Sequence, residues 1–245
     1  MGKRLVIAEK PSVARDIAAA LGGFEEHEDY LENEDFVVTW AVGHLLELSE
    51  PQDYDKALRS WSVKNLPIIP DTFTIKPRDG QKTRVKNIQK LGRRKDVDGT
   101  INACDAGREG EMIYRRIVEF TGLDKKPGQR LWLQSMTADS IRTAFEQLRP
   151  GQELEPLADA AWCRAVGDWL VGMNGTRALT GLARRAGGDA LQQGVHFAEG
   201  RSTGKAGAEY RSDKALLSEA AGQHVLCHAN IGHQTVVLVD EADAG

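Results

Sequence analysis

The sequence predicts an α/β fold with a mostly parallel sheet over residues 1–150, a partial helical domain over 151–186 and an irregular tail over 187–245. Three observations predict it. Short apolar runs at 4–8, 36–42, 99–104 and 130–133 alternate with longer amphipathic stretches, the pattern of βα units. Residues 156–186 then carry one broad apolar face, with Leu157, Ala161, Ala165, Trp169 and Leu170 on it. After Gly187-Gly188 the periodicity fades into a stretch rich in Gly, Ala, Ser and Gln. With 245 residues, 41% of them hydrophobic and 28% charged, the chain can bury a sizeable core.

Each element has its own signal. Residues 4–8 (RLVIA) read as a short buried strand. Pro11 and Ser12 open a helix whose Val13, Ile17, Ala20 and Leu21 share one face, and Gly22-Gly23 stops it. Residues 36–42 (FVVTWAV) give a second strand, and Pro51, Pro67 and Pro70 punctuate a loop-rich stretch around Trp61. A basic helix follows over 81–92, then a strand over 99–104 ending at Asp105. A Gly-containing turn leads to a helix from Glu109 to Phe120, closed by Gly122. Residues 130–133 (RLWL) form the next strand, and Thr137 caps a helix running to Leu148. Beyond the long helical stretch, 214–228 reads as a helix and 234–239 as a strand.

Composition excludes some classes. No apolar run approaches the roughly 20 residues that span a bilayer. The opening MGKRLVIAEKPS lacks the pattern of a secretory leader. Cys104, Cys163 and Cys227 are scattered and suit a reducing cytoplasm. The net charge of −4 is unevenly spread. Residues 25–35 hold seven acids and no Lys or Arg, whereas 76–95 hold nine Lys or Arg and one acid, Asp79. The basic run reads either as a solvated helix face or as a surface for phosphate backbones.

The informative cluster is Glu9 with Asp105, Glu109 and Glu111. Glu9 follows the first strand and Asp105 follows the strand at 99–104. In a parallel sheet both reach the carboxyl edge, where such folds place their sites. Mg²⁺ prefers oxygen ligands, often one or two carboxylates with waters and phosphate oxygens. Lys10 and Arg108 can neutralise phosphate charge at the same place. The bland alternative is a set of acidic surface turns with local ion pairs.

The motifs IAEKPSVA at 7–14 and CDAGREGE at 104–111 resemble the TOPRIM domain of type IA DNA topoisomerases, closest to the topoisomerase III branch. GHLLEL at 43–48, RSWSVKNLPIIP at 59–70, RLWLQSMTADSIRTAFEQL at 130–148 and RAVGDWLVGMNGTRAL at 164–179 follow in the same order. The resemblance covers roughly residues 3–186. It implies a TOPRIM, Rossmann-like domain over 1–150 and, over 151–186, the start of the adjacent DNA-binding domain. It also implies ATP-independent cleavage and rejoining of single-stranded or negatively supercoiled DNA with Mg²⁺, in the cytoplasm at the nucleoid. Glu9 resembles the glutamate assigned to metal binding and proton transfer, and Lys10 the lysine supporting the cleaved phosphate. Asp105 and Glu109 resemble the outer members of an Asp-x-Asp-x-Glu metal motif, with Gly107 in the middle aspartate's place. Arg108 and Glu111 match the flanking arginine and the final acidic position. Arg164, Asp168, Trp169, Asn174 and Arg177 match positions lining a single-strand groove, which combines basic groups with stacking surfaces.

The resemblance has gaps. The family cuts with a tyrosine on a separate domain, leaving a 5′-phosphotyrosyl link. Of Tyr30, Tyr54, Tyr114 and Tyr210, only Tyr210 has a family-like neighbourhood, in STGKAGAEYRSDKALLSEA, which lacks the family's proline after the tyrosine. The expectation is a truncated family protein with weak or no strand passage unless a partner chain supplies the gate. A non-catalytic DNA-binding remnant and a stand-alone TOPRIM phosphodiesterase are the alternatives. Gly204-Lys205 is not a phosphate loop, because Glu199 stands where glycine is required and Ala206 replaces the hydroxyl residue. His224, Cys227, His228 and His233 match no standard zinc spacing.

Overall fold

A computed structural model of the chain describes residues 2–186 and, for the backbone alone, 230–231 and 234–235. The elements run β1 (Lys3–Ala8), α1 (Pro11–Leu21), β2 (Glu25–Glu26), β3 (Leu31–Glu32), β4 (Phe36–Trp40), β5 (Leu46–Leu48), α2 (Pro51–Tyr54) and β6 (Ile75–Pro77). They continue with α3 (Lys82–Gly92), β7 (Val97–Ala103), α4 (Arg108–Thr121), β8 (Gly128–Arg130), α5 (Ala138–Glu146), β9 (Arg149–Pro150) and α6 (Glu155–Ala186). A short antiparallel pair, β10 (Asn230–Ile231) and β11 (Gln234–Thr235), is described farther on. Of the strand expected over 234–239 only 234–235 are described, and the helix expected over 214–228 lies outside the described residues.

The main sheet has seven strands in the order β2-β3-β4-β1-β7-β8-β9. The four inner strands β4, β1, β7 and β8 are parallel, and antiparallel partners close both edges. Leu5, Val6, Ile7 and Ala8 are all fully buried, as expected of a strand covered on both faces. Leu5 and Ile7 pack with Val85 and Ile88 of α3 and Ile113 and Ile117 of α4. Val6 and Ala8, pointing the other way, pack with Ala14 and Ile17 of α1 and Ile141 of α5. The fold class is therefore α/β with a mostly parallel sheet between two helical layers.

The capping signals hold at residue level. Thr137 Oγ1 accepts from Ser140 N at 3.4 Å at the start of α5. Gly122, at φ 70°, ends α4 in the left-handed conformation open to glycine. Two boundaries differ from expectation. The strand expected over 130–133 is observed over 128–130, and Leu131 adds only one backbone bond, to Asn102 O at 2.9 Å. The helix after Thr137 ends at Glu146, because Arg149 and Pro150 turn back to pair with β8.

The acidic and basic runs meet each other. Residues 25–32 form an edge hairpin, and Arg84 Nη1 donates to Asp29 Oδ1 at 2.8 Å. Arg84 also donates to Trp40 O at 2.8 Å and lies 4.4 Å above the Trp40 ring. Arg94 grips Glu32 with both terminal nitrogens, at 2.8 and 2.6 Å, and Lys3 Nζ joins them at 2.5 Å. These partners hold the Glu32 carboxyl down at about 2, the Arg94 bond contributing most. Much of the basic run is thus neutralised inside the fold. Lys82, Lys86 and Lys90 remain exposed, four residues apart on one face of α3.

The described residues divide into two units, 1–60 with 68–170, and 61–67 with 171–186. The division falls at Leu170, within α6. The first half of α6 is bound into the first unit. Arg115 Nη1 meets Glu155 Oε1 at 3.0 Å, and Arg116 stacks 4.1 Å over the Trp162 ring.

Candidate active site

The parallel register builds the site. Ala8 of β1 lies opposite Ala103 of β7, so the chains leave the sheet side by side at its carboxyl edge. Glu9 and Asp105 are the residues they deliver there. Asp105 N donates to Glu9 Oε2 at 3.4 Å. Lys10 Nζ lies 3.1 Å from Asp105 Oδ2 and 3.7 Å from Glu9 Oε1. The hydrogen bond and charge of Asp105, with Glu9 behind it, push the Lys10 ammonium above its ordinary range. Lys10 is therefore a fixed positive charge between two carboxylates.

A second loop reaches the same edge. Gly43 N donates to Glu9 O at 3.1 Å, and Val42 and Gly43 both adopt positive φ, 60° and 74°. That sharp turn carries His44, whose Nε2 lies 3.7 Å from Glu109 Oε2. Glu109 and Arg108 are exposed in the first turn of α4. Gly107 is the residue before that helix and has no side chain to cap it, which leaves the first-turn N–H groups open to an anion. Arg108 is in no ion pair among the described residues.

Glu111 corrects the expected ligand set. Two residues on from Glu109, it is turned by about 200° around the helix and cannot share its face. It is buried, at 4% exposure. Its Oε1 lies 2.5 Å from Arg130 Nε, an ion pair in which the N–H is not aligned on the oxygen. Its Oε2 accepts from Asn102 Nδ2 at 3.0 Å. Burial pushes the Glu111 carboxyl up, and Arg130 opposes that shift. Glu111 is thus committed to the interior and is not a ligand at the edge.

Glu9, Asp105 and Glu109 remain. Glu9 and Asp105 are joined through Lys10, and Glu109 is joined to His44. Among the described residues no group of three or more His, Cys, Asp or Glu side chains is already gathered closely enough to hold a metal ion. The donor chemistry nonetheless fits Mg²⁺, which binds through few carboxylates and keeps waters and phosphate oxygens in its shell. Lys10 supplies a positive charge between two of these carboxylates.

Two participants were missed in the sequence. His44 sits inside GHLLEL, and Arg130 opens RLWL. Arg130 is 1% exposed, and an arginine heading the apolar run RLWL is itself the signal that it binds something inside.

The expected groove residues fall in both units. Arg164, Asp168 and Trp169 belong to the first unit, and Asn174 and Arg177 to the second. Arg164 and Asp168 form an exposed pair at 3.6 Å. Trp169 donates its Nε1–H to Ser49 O at 3.1 Å and meets Tyr54 and Phe73 in edge-to-face contacts, 6.2 and 5.4 Å between centroids. Its ring, partly buried, takes part in the packing of this unit. Arg177 is 3% exposed and its guanidinium lies 5.3 Å from the Trp61 ring centroid. Asn174 is half-buried. Tyr114 is buried, its hydroxyl 2.7 Å from Thr100 Oγ1 and pushed up to about 12 by burial. Tyr210, Gly204, Lys205, His224, Cys227, His228 and His233 lie outside the described residues.

Comparison with known proteins places this geometry. A model of the Toprim domain matches residues 4–136. DNA topoisomerase 3 of Staphylococcus haemolyticus is 44% identical over 178 residues, and that of Bacillus subtilis 43% identical over 180. These matches cover 73% and 74% of this chain, which spans about 25% of the length of either relative. The solved structure of full-length topoisomerase I from Thermotoga maritima matches with a TM-score of 0.52 at 21% identity, over 72% of this chain and 26% of that one.

Proposed function

The chain belongs to the Toprim domain family, and from that premise we propose that it provides the metal and proton-transfer half of a type IA topoisomerase active site, acting on single-stranded DNA. One observation carries this reading. Glu9, Lys10 and Asp105 are gathered at the carboxyl edge of neighbouring parallel strands, with Arg108 and Glu109 opening the next helix beside them. The sequence relatives, named DNA topoisomerase 3, support DNA as the substrate.

In this proposal Glu9, Asp105 and Glu109 hold Mg²⁺, which when bound draws negative charge from the phosphate. Lys10 and Arg108 hold the phosphate oxygens. The attacking group is a tyrosine phenol, assigned by resemblance to Tyr210. Its oxygen bonds to phosphorus as the bond from phosphorus to the 3′ oxygen breaks. The phenol proton goes to solvent, and Glu9 gives a proton to the departing 3′ oxygen and takes it back on rejoining. No helix among the described residues is long and apolar enough to cross a membrane, and we place the protein in the cytoplasm, at the nucleoid.

The test is adduct trapping on a 3′-labelled single-stranded oligonucleotide. A Mg²⁺-dependent 5′-phosphotyrosyl adduct is expected. Asp105→Asn and Glu9→Gln should remove it, and Tyr210→Phe should remove it while leaving DNA affinity unchanged. An adduct that persists in Asp105→Asn overturns the metal assignment, and one that persists in Tyr210→Phe overturns the nucleophile. DNA binding with no adduct favours the non-catalytic alternative.

A further inference from the structure

We infer that Arg130 is a positioning residue that clamps the turn presenting Asp105, an inference that rests on the proposed metal role of Asp105. Arg130 is at the end of β8 and pairs with none of the charged side chains exposed at the edge. Its guanidinium instead collects backbone oxygens from the turn below it. Nη1 donates to Asn102 O at 3.0 Å, Cys104 O at 2.7 Å and Leu131 O at 3.1 Å, and Nη2 donates to Asp105 O at 2.8 Å. Three of these oxygens belong to the last residues of β7 and the first of the turn.

Glu111 completes the clamp from the helix side. It holds Arg130 Nε at 2.5 Å and accepts from Asn102 Nδ2, while Asn102 Oδ1 accepts from Cys104 N at 3.0 Å. The turn at 102–105 is therefore tied through both its carbonyls and an amide to one buried ion pair. The first turn of α4 closes on the same place. A side chain at Gly110 would run into the Asp105 carbonyl oxygen, so helix and turn lie in direct backbone contact.

This arrangement explains the choice of arginine. A planar fork reaches several acceptors at fixed angles, whereas an ammonium is a point charge. It also explains why a buried pair is tolerated, since a buried pair is a poor source of stability when apolar residues could fill the same space. The pair sets where the Asp105 backbone sits, and Asp105 projects from there to Lys10. The four-carbonyl grip has no other evident purpose in a strand end that the sheet already holds.

The intact chain tests this by two readouts, backbone amide exchange at 104–107 and Mg²⁺ affinity by calorimetry. Arg130→Lys keeps the charge opposite Glu111 and loses the fork. It should raise exchange at 104–107 and weaken Mg²⁺ binding by about tenfold or more. A cavity substitution in α3, Ile88→Val or Ile88→Ala, matched for lost Tm, should change neither. Arg130→Met with Glu111→Leu removes the buried pair as well as the clamp. It should regain Tm relative to Arg130→Met while Mg²⁺ binding stays weak. Wild-type affinity in Arg130→Lys, or equal losses in the Ile88 control, would overturn the positioning role. Raised exchange in Arg130→Lys, with wild-type Mg²⁺ binding absent or indifferent to Asp105→Asn, would leave the clamp standing and overturn the metal reading instead.

Discussion

Gly107→Asp is the most informative single substitution. Gly107 has φ 168° and ψ 177°, extended backbone that any residue adopts, and a Cβ added there meets nothing within 4 Å. An aspartate therefore enters without strain. It also becomes the cap of α4, which now has none, for a gain of a few tenths of a kcal/mol over glycine. Losing a glycine from the unfolded chain adds about 0.4–1 kcal/mol. Together these predict a Tm increase of about 2–4 °C in the absence of metal. The larger effect concerns Mg²⁺. A third acid joins Asp105 and Glu109 on the same turn. Attraction between a divalent ion and a carboxylate about 4 Å away is about 2 kcal/mol even at water's dielectric constant. Part of this goes to dehydrating the ion and to competition with the capping bond. A net gain of about tenfold in Mg²⁺ affinity, or about 1.4 kcal/mol, is expected. Calorimetric titration with Mg²⁺, in parallel with thermal melting, reads both quantities. A folded Gly107→Asp protein with raised Tm and unchanged Mg²⁺ affinity would refute the placement of the ion at this turn.

Gly110→Ala should do the opposite, because its Cβ strikes the Asp105 carbonyl oxygen and displaces the turn by about 1 Å, an error that typically costs on the order of a hundredfold in rate. Adduct formation per unit of folded protein checks it, and a loss under about threefold would mean that the turn absorbs the methyl. The edge hairpin should show acid sensitivity through Glu32. Its folded carboxyl titrates at about 2 against an ordinary 4.5, so its stabilisation, up to about 3 kcal/mol, is complete above pH 4.5 and fades as pH falls towards 2. Tm curves of wild type and Glu32→Gln should converge over that interval, and curves that stay parallel would exclude this source of acid sensitivity. Lys82, Lys86 and Lys90 changed together to Gln should lower the salt dependence of single-strand binding by about two in logarithmic slope. An unchanged slope would assign the electrostatic contact to another surface.

The sequence made the central strands legible because burial on both faces writes an unbroken apolar run, as in Leu5 to Ala8. The delivery of Glu9 and Asp105 to one edge followed from parallel strand order alone. Glu111 was misjudged because motif position was followed in place of helical period, and a spacing of two residues from Glu109 already argues against a shared face. The strands β2, β3 and β9 were not legible, since two residues carry no periodicity. Trp169 and Arg177 were placed by resemblance, and a motif does not say which way a ring or a guanidinium turns. Ser49, Tyr54 and Phe73, far from Trp169 in sequence, decide its use. The pairing of the acidic and basic runs was likewise hidden by the distance between Glu32 and Arg94 along the chain.

Charge organisation connects the fold to the proposed chemistry. Arg84, Arg94 and Arg130 are each answered by a carboxylate, Asp29, Glu32 and Glu111, so they add little to the field outside. The edge is different. Glu9, Asp105 and Glu109 bring three negative charges, and Lys10 and Arg108 bring two positive ones, leaving one negative charge among these five groups. A phosphate approaching that edge meets slight repulsion. A divalent cation held there reverses the sign, and it also competes with Lys10 for Asp105, which frees the ammonium for a phosphate oxygen. Under the proposed function, metal and DNA therefore strengthen each other's binding at this edge, and by linkage the gain is the same from either side. The protein's net charge of −4 carries no trace of this, because the coupling depends on which five charged groups two parallel strands and one helix bring to the same place.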